Sequence, residues 1–300
     1  MTTTPTVAVI TSSIGRASLL DTIDCIKQQS YPCRHYIFVD GEKHHRAVKK
    51  MVKDHPEIVV TYLPVSTGAT GMCNSIINAI APFIATEDII CYVDDDNTVT
   101  PDHVETFVNA FLTNDIHYAY SLRYLHSAED DFYIPDNLES LGFWTLGKEH
   151  VITVDFELKD KKYTSTVVQT SNRTALIDTN CYAFSRNLAQ HLANTWMING
   201  KYNDQNITQA LLNSPNLTGF CTGKRTVNYT TLMKNFVQPP QIIYDNLSAK
   251  TKAEKRSVER QLFLSYMDFI EQITALNRPW ETPTLFKNNQ LIPVINQSNS

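Results

Sequence analysis

The segment "IICYVDDDNTVTP" at residues 89–101 joins an apolar run to three consecutive aspartates, Asp94, Asp95 and Asp96. Its apolar part has the length and composition of a buried strand, and it ends directly at the aspartates. Like charges this close together repel one another, and the repulsion raises the pKa of at least one of the carboxyl groups. The triplet is therefore either a solvated turn at a strand end or a site that binds a cation.

Short apolar segments before this one alternate with segments of helical periodicity. Strands are predicted at 6–12, 35–41, 58–64 and 88–93, and a helix with a stripe of isoleucines is predicted at 71–85. This alternation is typical of right-handed βαβ units and a mostly parallel sheet. The predicted fold class is α/β, a doubly wound sheet between two layers of helices.

The regular alternation of predicted strands and helices ends in the second half of the chain. Residues 126–175 read as a loop followed by two antiparallel strands, "VITVDFEL" and "YTSTVVQT", and the chain beyond 235 is charged and helical. We therefore expect one main domain at 1–235, with halves at 1–112 and 113–235, a small antiparallel region, and a helical extension at 236–300.

Composition restricts the class of protein. The net charge is −5, which argues against a nucleic-acid partner bound through a broad basic face. The six cysteines form no CxxC pair, as is typical of reduced thiols in a cytoplasmic protein. Neither a signal peptide nor an apolar run of about 20 residues is recognisable. We expect a soluble cytoplasmic protein, and the sequence does not determine its oligomeric state.

Ligands of open parallel sheets bind beyond the carboxyl ends of the strands. Four polar segments are predicted there: "TSSIGR" at 11–16, Asp40-Gly41, "STGATG" at 66–71 and the aspartate triplet. Carboxylates beside a turn that opens a helix suit Mg²⁺ or Mn²⁺ carrying a diphosphate. The sequence therefore predicts a nucleotide site at this edge of the sheet.

These segments resemble the nucleotide-sugar-binding half of a GT-A-fold glycosyltransferase, and they are most similar to family 2. The resemblance rests on "VAVITSSIGRASLLDTIDCIKQQSYP", "YIFVDG", "GATGMCNSIINAI" and "IICYVDDDNTVTPDHVETF", and continues more loosely to about residue 230. It implies inverting transfer of a hexosyl or N-acetylhexosaminyl group from a UDP-linked donor to a glycan acceptor. It also implies Mn²⁺ or Mg²⁺ as cofactor and a role in bacterial surface polysaccharide synthesis.

The resemblance assigns roles by position. The residues assigned to bind the donor nucleotide are Thr11, Arg16, Asp40, Gly71, Asn74, Asp94 and Asp95. The residues assigned to bind the metal are Asp96 and Asp94. Within this set, Asp40 would accept from an N–H of the base, and Asp94 would lie near the ribose. Met72-Cys73-Asn74 replaces the Ala-Arg-Asn of many members, so a customary arginine is absent.

The resemblance also places a catalytic base in "YNDQ" at 202–205, where the candidate is Asp204. A carboxylate there would accept the proton of the attacking hydroxyl, although aspartate is also a common residue at a helix start. Asp178 is the fallback base. Asn180 and Trp144 are candidate acceptor contacts, with packing between the two halves as the alternative for Trp144.

Other functions stay open. A sugar-phosphate nucleotidyltransferase also joins metal-binding aspartates to such a sheet, but "TSSIGRAS" lacks its glycine- and lysine-rich first loop. A non-catalytic nucleotide-sugar or glycan-binding protein would keep the cavity without needing Asp204. A dehydrogenase is disfavoured, because no GxGxxG follows the first strand. The mixed charges of the C-terminal helix indicate a solvated face, with peripheral membrane contact as the alternative.

Overall fold

The structure is a computed structural model, and it describes residues 4–127, 132–146, 149–158, 161–170, 174–233 and 251–294. The strands are β1 (Val7–Ser13), β2 (Arg34–Asp40), β3 (Val59–Leu63), β4 (Ile89–Tyr92), β5 (Thr98–Val99), β6 (Tyr118–Ser127), β7 (Phe132–Pro135), β8 (Glu149–Leu158), β9 (Lys161–Thr170), β10 (Tyr182–Ser185), β11 (Gly219–Thr230), β12 (Thr284–Lys287) and β13 (Gln290–Pro293). The α-helices are α1 (Leu19–Lys27), α2 (Glu42–Met51), α3 (Ser75–Ile84), α4 (His103–Thr113), α5 (Arg186–His191), α6 (Ala193–Trp196), α7 (Asn203–Leu212) and α8 (Lys252–Thr274).

The central sheet has the order β13-β12-β11-β6-β10-β4-β1-β2-β3, with β5 paired to β11 and β7 paired to β6. Strands β4, β1, β2 and β3 are mutually parallel, as predicted for the first half of the chain. Strand β10 runs antiparallel between β4 and β6, and it joins the second half of the chain to the first. The carboxyl ends of the four parallel strands therefore meet at one edge.

Helices cover both faces of this sheet, and β2 shows why. Its alternate residues point to opposite faces. Ile37 and Val39 pack in a cluster with residues of α1 and α2. Tyr36 and Phe38 belong to the main core, together with Ile77 of α3. The predicted α/β sandwich with two helical layers is confirmed.

The antiparallel region is confirmed as the separate β8–β9 ribbon. Val154, Phe156 and Leu158 of β8 are buried in one cluster with residues of α8. Helix α8 confirms the predicted helix of the extension, and its start is fixed by a reciprocal capping box between Thr251 and Glu254.

The extension also contains a hairpin, β12–β13, which adds to the main sheet through β11. Two four-residue strands carry too little periodicity to be recognised beside a long helix. The predicted boundary at residue 235 lies outside the described residues, so the division into 1–235 and 236–300 stays a prediction.

The six cysteines are free. None of the helices in the described ranges combines the length and the apolar character needed to span a membrane.

Candidate active site

A cavity of about 510 Å³ lies at the carboxyl ends of the parallel strands. All four predicted strand-end segments contribute to it, together with the end of β11. The lining residues are Ser12, Ile14, Arg16, Asp40, Lys43, His44, Ser66, Gly68, Ala69, Cys73, Asn74, Asp94, Asp95, Asp96, Asn97, Tyr229 and Thr230. The structure thus brings together most of the residues that the sequence assigns to the donor.

Asp95 organises the turn after β1. Its carboxylate is almost fully buried and accepts hydrogen bonds from Ser13 Oγ at 2.7 Å and from the backbone N–H of Ile14 at 3.1 Å. Arg16 donates to it at 2.5 Å and also lies 3.2 Å from Asp96. One arginine therefore offsets part of the charge of the triplet and holds the first turn against it.

Asp94 is held on both sides by amide side chains. Its Oδ1 accepts from Asn74 Nδ2 at 2.7 Å, and its Oδ2 accepts from Asn180 Nδ2 at 3.2 Å. The backbone N–H of Asp94 donates to Asn180 Oδ1 at 2.6 Å. Burial raises the pKa of Asp94 to about 7, with a further contribution from the negative charge of Asp96. The two asparagines therefore fix the orientation of this carboxylate.

Asp96 is the member of the triplet that opens to solvent, with its side chain 39% exposed. Burial raises its pKa, the charge of Arg16 opposes that rise, and the charge of Asp95 adds to it. No group of three or more His, Cys, Asp or Glu side chains in the described part of the chain has metal-binding geometry. Two carboxylates on a cavity wall nevertheless fit a cation such as Mg²⁺, which takes its other ligands from substrate phosphates and water.

Asp40 shapes the opposite wall. Its Oδ1 accepts from the N–H of Thr67 at 2.6 Å and from Thr67 Oγ1 at 2.8 Å, and its Oδ2 accepts from the N–H of Gly68 at 2.9 Å. These bonds hold the 3-10 turn Thr67–Thr70 against the end of β2. A Cβ at Gly68 would lie 2.6 Å from the carbonyl oxygen of Cys73, so the turn requires glycine there.

Asp204 lies in the first turn of α7 and is partly exposed. Within the described ranges its carboxylate accepts one hydrogen bond, from the N–H of Gln205 at 2.8 Å. Burial raises the pKa of Asp204 to about 6, and the charge of Asp178 adds to this, whereas the charge of Arg123 opposes it. A carboxylate with this pKa is mostly ionised at pH 7 and more basic than an ordinary aspartate.

Arg123 is the buried cation at the centre of the acceptor-side half. It donates to Asp178 at 2.6 Å, to Asp136 at 2.7 Å and to Glu139 at 3.0 Å. Its guanidinium also lies over the ring of Tyr229, 4.2 Å from the centroid. These carboxylates raise the pKa of Arg123 well above its usual value, although burial acts in the opposite direction.

The carboxylate of Asp178 takes part in this network through both of its oxygens. Besides the bond from Arg123, its Oδ1 accepts from the backbone N–H of Asn180 at 2.9 Å and from Asn180 Nδ2 at 2.8 Å. The carboxylate of Asp178 is therefore buried, ion-paired and doubly hydrogen-bonded within the protein. Asp204 is more open to solvent than Asp178, and neither residue is among those that line the cavity.

Two predicted donor contacts lie outside the cavity lining. Thr11 is fully buried, and its hydroxyl is 2.9 Å from His35 Nε2, because its position in β1 points into the protein. Ser12, the next residue, lines the cavity instead. Gly71 is exposed beside the cavity and adopts φ +86°, a conformation that favours glycine.

The two predicted acceptor contacts also lie outside the cavity lining. Asn180 is fully buried, and its amide Nδ2 donates to both Asp94 and Asp178. Trp144 is half-buried and packs against a cluster that contains Leu141 and Trp280, which matches the packing alternative.

Sequence reasoning missed several residues of the site. Lys43 and His44 line the cavity from the first turn of α2, and their position directly after Asp40-Gly41 was a usable signal. Arg123 also left a signal, as a lone cation within the apolar strand segment "YSLRYL". Tyr229 had none, because its position depends on the pairing of β11 with β6.

Comparisons with known proteins give the following. Residues 8–191 match the family described as Glycosyl transferase family 2. No curated protein matches the sequence. Among solved structures, S. aureus TarS 1-349 is 11% identical with a TM-score of 0.49, covering 91% of this chain and 73% of that one. The same protein in complex with UDP-GlcNAc is 13% identical with a TM-score of 0.47, covering 92% and 72%.

The family match spans more than half of the chain and includes β1 to β4, the aspartate triplet and β10. It agrees with the parallel sheet and with the carboxylates that meet at its edge. The chain belongs to glycosyltransferase family 2.

Proposed function

We propose that this protein is an inverting glycosyltransferase that moves a hexosyl or N-acetylhexosaminyl group from a UDP-linked donor to a hydroxyl of a glycan. One observation carries the proposal. Asn74 donates to Asp94 at 2.7 Å and accepts from Asn203 at 2.7 Å, so the donor-side carboxylates and the start of α7 are hydrogen-bonded together. The candidate base Asp204 is the next residue after Asn203.

The cavity suits a nucleotide diphosphate. Arg16, Lys43 and His44 bring cationic or ionisable nitrogens to its wall, where they would attract phosphate oxygens. Asp40 accepts four hydrogen bonds within the protein, of which the longest comes from Ser66 Oγ at 3.5 Å. The N–H of a uracil ring would take the place of this long bond from Ser66 Oγ, as the family resemblance implies for a UDP-linked donor.

Asp96, with Asp94, would hold Mn²⁺ or Mg²⁺ on the same wall. The bound cation would supply Lewis acidity that neutralises charge on the departing diphosphate. Arg16 is placed beside Asp95 and Asp96, so it would orient the diphosphate from the protein side.

The transfer is a single displacement. The acceptor oxygen forms a bond to the anomeric carbon while the bond from that carbon to the diphosphate breaks. Asp204 takes the proton of the acceptor hydroxyl, and its pKa of about 6 keeps it ionised at neutral pH while retaining basicity. The diphosphate leaves with the electron pair, and the configuration of the sugar inverts.

The acceptor is a glycan, and the biological setting is the synthesis of a bacterial surface polysaccharide in the cytoplasm or at the inner face of its membrane. These parts of the proposal rest on the family resemblance. The effect of replacing Asp204 would distinguish a glycosyltransferase from the two alternative functions. Neither a nucleotidyltransferase nor a binding protein needs a base on α7.

The test is donor hydrolysis and transfer across a panel of nucleotide sugars with Mn²⁺, Mg²⁺ or EDTA. The wild type is compared with Asp96→Ala, Asp204→Asn and the exposed control Asp54→Asn. We expect release of nucleoside diphosphate that needs a metal and is lost in the first two variants only. Formation of a nucleotide sugar from a nucleoside triphosphate would instead support a nucleotidyltransferase. Nucleotide binding with no turnover on any glycan would support a binding protein.

A further inference from the structure

Helix α3 presents an apolar face to solvent. At about 100° per residue, Ile76, Ile80, Phe83 and Ile84 fall within one arc, and Met72 in the preceding loop extends it by one turn. Phe83 is 63% exposed and Ile84 is 44% exposed, whereas the two isoleucines before them are half-buried. The remaining residues of α3 are buried. We call these five residues the apolar face of α3.

This face differs from the other outward surfaces of long helices. Residues 63–86 contain no Asp, Glu, Lys or Arg, whereas α1, α2, α4 and α8 carry charged residues on their exposed positions. A solvent-exposed helix normally has a polar outer face. A contiguous exposed apolar surface marks a place where the protein meets another phase or molecule.

The apolar face begins at the mouth of the candidate active site. Cys73 and Asn74, which line the cavity, directly precede α3. The loop at 197–202 packs against Met72, at the start of the apolar face: a Cβ at Gly200 would lie only 2.2 Å from Met72 Cα. This loop contributes Ile198, which is 70% exposed, and four further exposed side chains, Met197, Asn199, Lys201 and Tyr202.

The charges around the face are unequal. At the end near the cavity, Lys201 has no carboxylate within ion-pair distance in the described ranges, and its Nζ lies 5.5 Å from the ring centroid of Tyr202. At the far end the acidic groups have basic neighbours. Glu87 lies 3.8 Å from Arg34, and the charge of Arg186 contributes to the lowered pKa of Asp88, after hydrogen bonds from Thr6. The border of the face therefore offers an unpaired positive charge.

We propose that the apolar face of α3 and the loop at 197–202 dock on an anionic lipid bilayer. Apolar side chains would enter the boundary between headgroups and acyl chains, and Lys201 would pair with lipid phosphate. The cavity mouth then lies at the membrane surface. Docking stands on the surface alone; the consequence that the acceptor glycan is attached to a lipid rests on the proposed function.

The test is co-sedimentation of the full chain with vesicles. Wild type is compared with Ile80→Glu/Phe83→Glu and with Leu112→Glu, a control on α4 whose leucine is 55% exposed. We expect binding to phosphatidylcholine vesicles that contain phosphatidylglycerol, and about tenfold weaker binding by the double variant only. Lys201→Glu should reduce the preference for phosphatidylglycerol, and added salt should weaken wild-type binding.

Circular dichroism and titration with UDP are measured on the same variants. Native circular dichroism and unchanged UDP affinity in the double variant show that only docking is lost. Absence of wild-type binding to vesicles, or equal loss in the Leu112→Glu control, would overturn the proposal. A wild-type dimer that the double variant converts to a monomer, without vesicle binding, would assign the face to a second copy of the chain. Failure of UDP to bind any variant would count against the proposed function and leave the docking result standing.

Discussion

The side-chain amide of Asn203 donates a 2.7 Å hydrogen bond to the side-chain carbonyl of Asn74, and the amide of Asn74 donates to Asp94 at the same distance. Asn203 also donates to Ser75 Oγ at 2.9 Å. Residues far apart in the chain are thus joined by one series of buried and partly buried hydrogen bonds. The beginning of α7 and the aspartate triplet are therefore fixed relative to each other.

Asp204→Asn should abolish transfer while leaving donor binding intact. Asparagine keeps the shape of the side chain but cannot take a proton, and loss of a general base costs about 10²–10⁴-fold in rate. The measurements are kcat and the Kd of the nucleotide, with Asp54→Asn as the surface control. A kcat within threefold of wild type, roughly 0.7 kcal/mol, would move the base to another residue.

The rate should rise with pH with a midpoint near 6, because Asp204 must be ionised to act as a base. Glu139 is a second negative charge that raises the pKa of Asp204. Glu139→Gln should therefore shift the midpoint to lower pH without removing activity. A pH–rate profile of kcat for both proteins checks this, and a shift to higher pH would contradict it.

Asp204→Asn should also stabilise the protein above pH 6. The pKa of Asp204 is about 6 in the folded state, against 3.8 for an unperturbed group, so the folded protein binds this proton more tightly. The stability that this group contributes below pH 4 is then lost as pH rises from about 4 to 6, by about 3 kcal/mol at most. Urea denaturation at pH 4 and pH 8 should show a gain for the variant at pH 8 only. An equal gain in stability at pH 4 and pH 8 would point to a cause other than the protonation of Asp204.

Arg123→Met should strongly destabilise the fold, because it leaves the carboxylates of Asp136 and Asp178 buried without their cation. Removing one partner of a buried ion pair costs about 3–5 kcal/mol. Chemical denaturation measures the change, and Arg225→Met, which leaves the partly exposed Glu281, is the milder comparison. An equal loss of unfolding free energy in the two variants would mean that the buried ion pairs of Arg123 stabilise the fold no more than the partly exposed pair of Arg225.

Gly200→Ala should weaken donor binding through a steric clash. Gly71→Ala should weaken it less, because only the backbone conformation of that residue is strained. A Cβ at Gly200 meets Met72 Cα at 2.2 Å, so the loop that carries Cys73 must move. At Gly71 nothing lies within 4 Å, and the cost comes from φ +86° alone, about 1 kcal/mol. Nucleotide titration of both variants distinguishes these causes. A larger loss of affinity in Gly71→Ala would overturn the steric explanation.

The sequence predicts those parts of the fold that depend on local periodicity. The strands that end at Ser13, Asp40 and Tyr92, and the convergence of their carboxyl ends, follow from alternating apolar segments and the rules for parallel sheets. The position of Asp204 in the first turn of α7 also agrees with the prediction of a helix start there.

The parts that could not be predicted depend on register and on distant partners. Thr11 and Ser12 are neighbours, and only the pairing of β1 with β2 decides which of them faces His35. Asn180 resembles an acceptor contact in sequence, but its burial between two carboxylates requires β10 to lie beside β4. Arg123 has its three carboxylates at different points of the chain, so no local pattern identifies them.

The position of β12 has a consequence for biosynthesis. It pairs with β11, and the residues just before it complete the polar groups of the acceptor-side half: Trp280 donates to Asn137, and Glu281 pairs with Arg225 at 2.7 Å. On the ribosome, the amino-terminal half can fold as soon as β4 has emerged, since domains form in order of synthesis. The acceptor-side half must wait for these late residues, and the donor cavity must wait for Asn180, Tyr229 and Thr230, so a nascent chain would complete both sides of its site only late in synthesis.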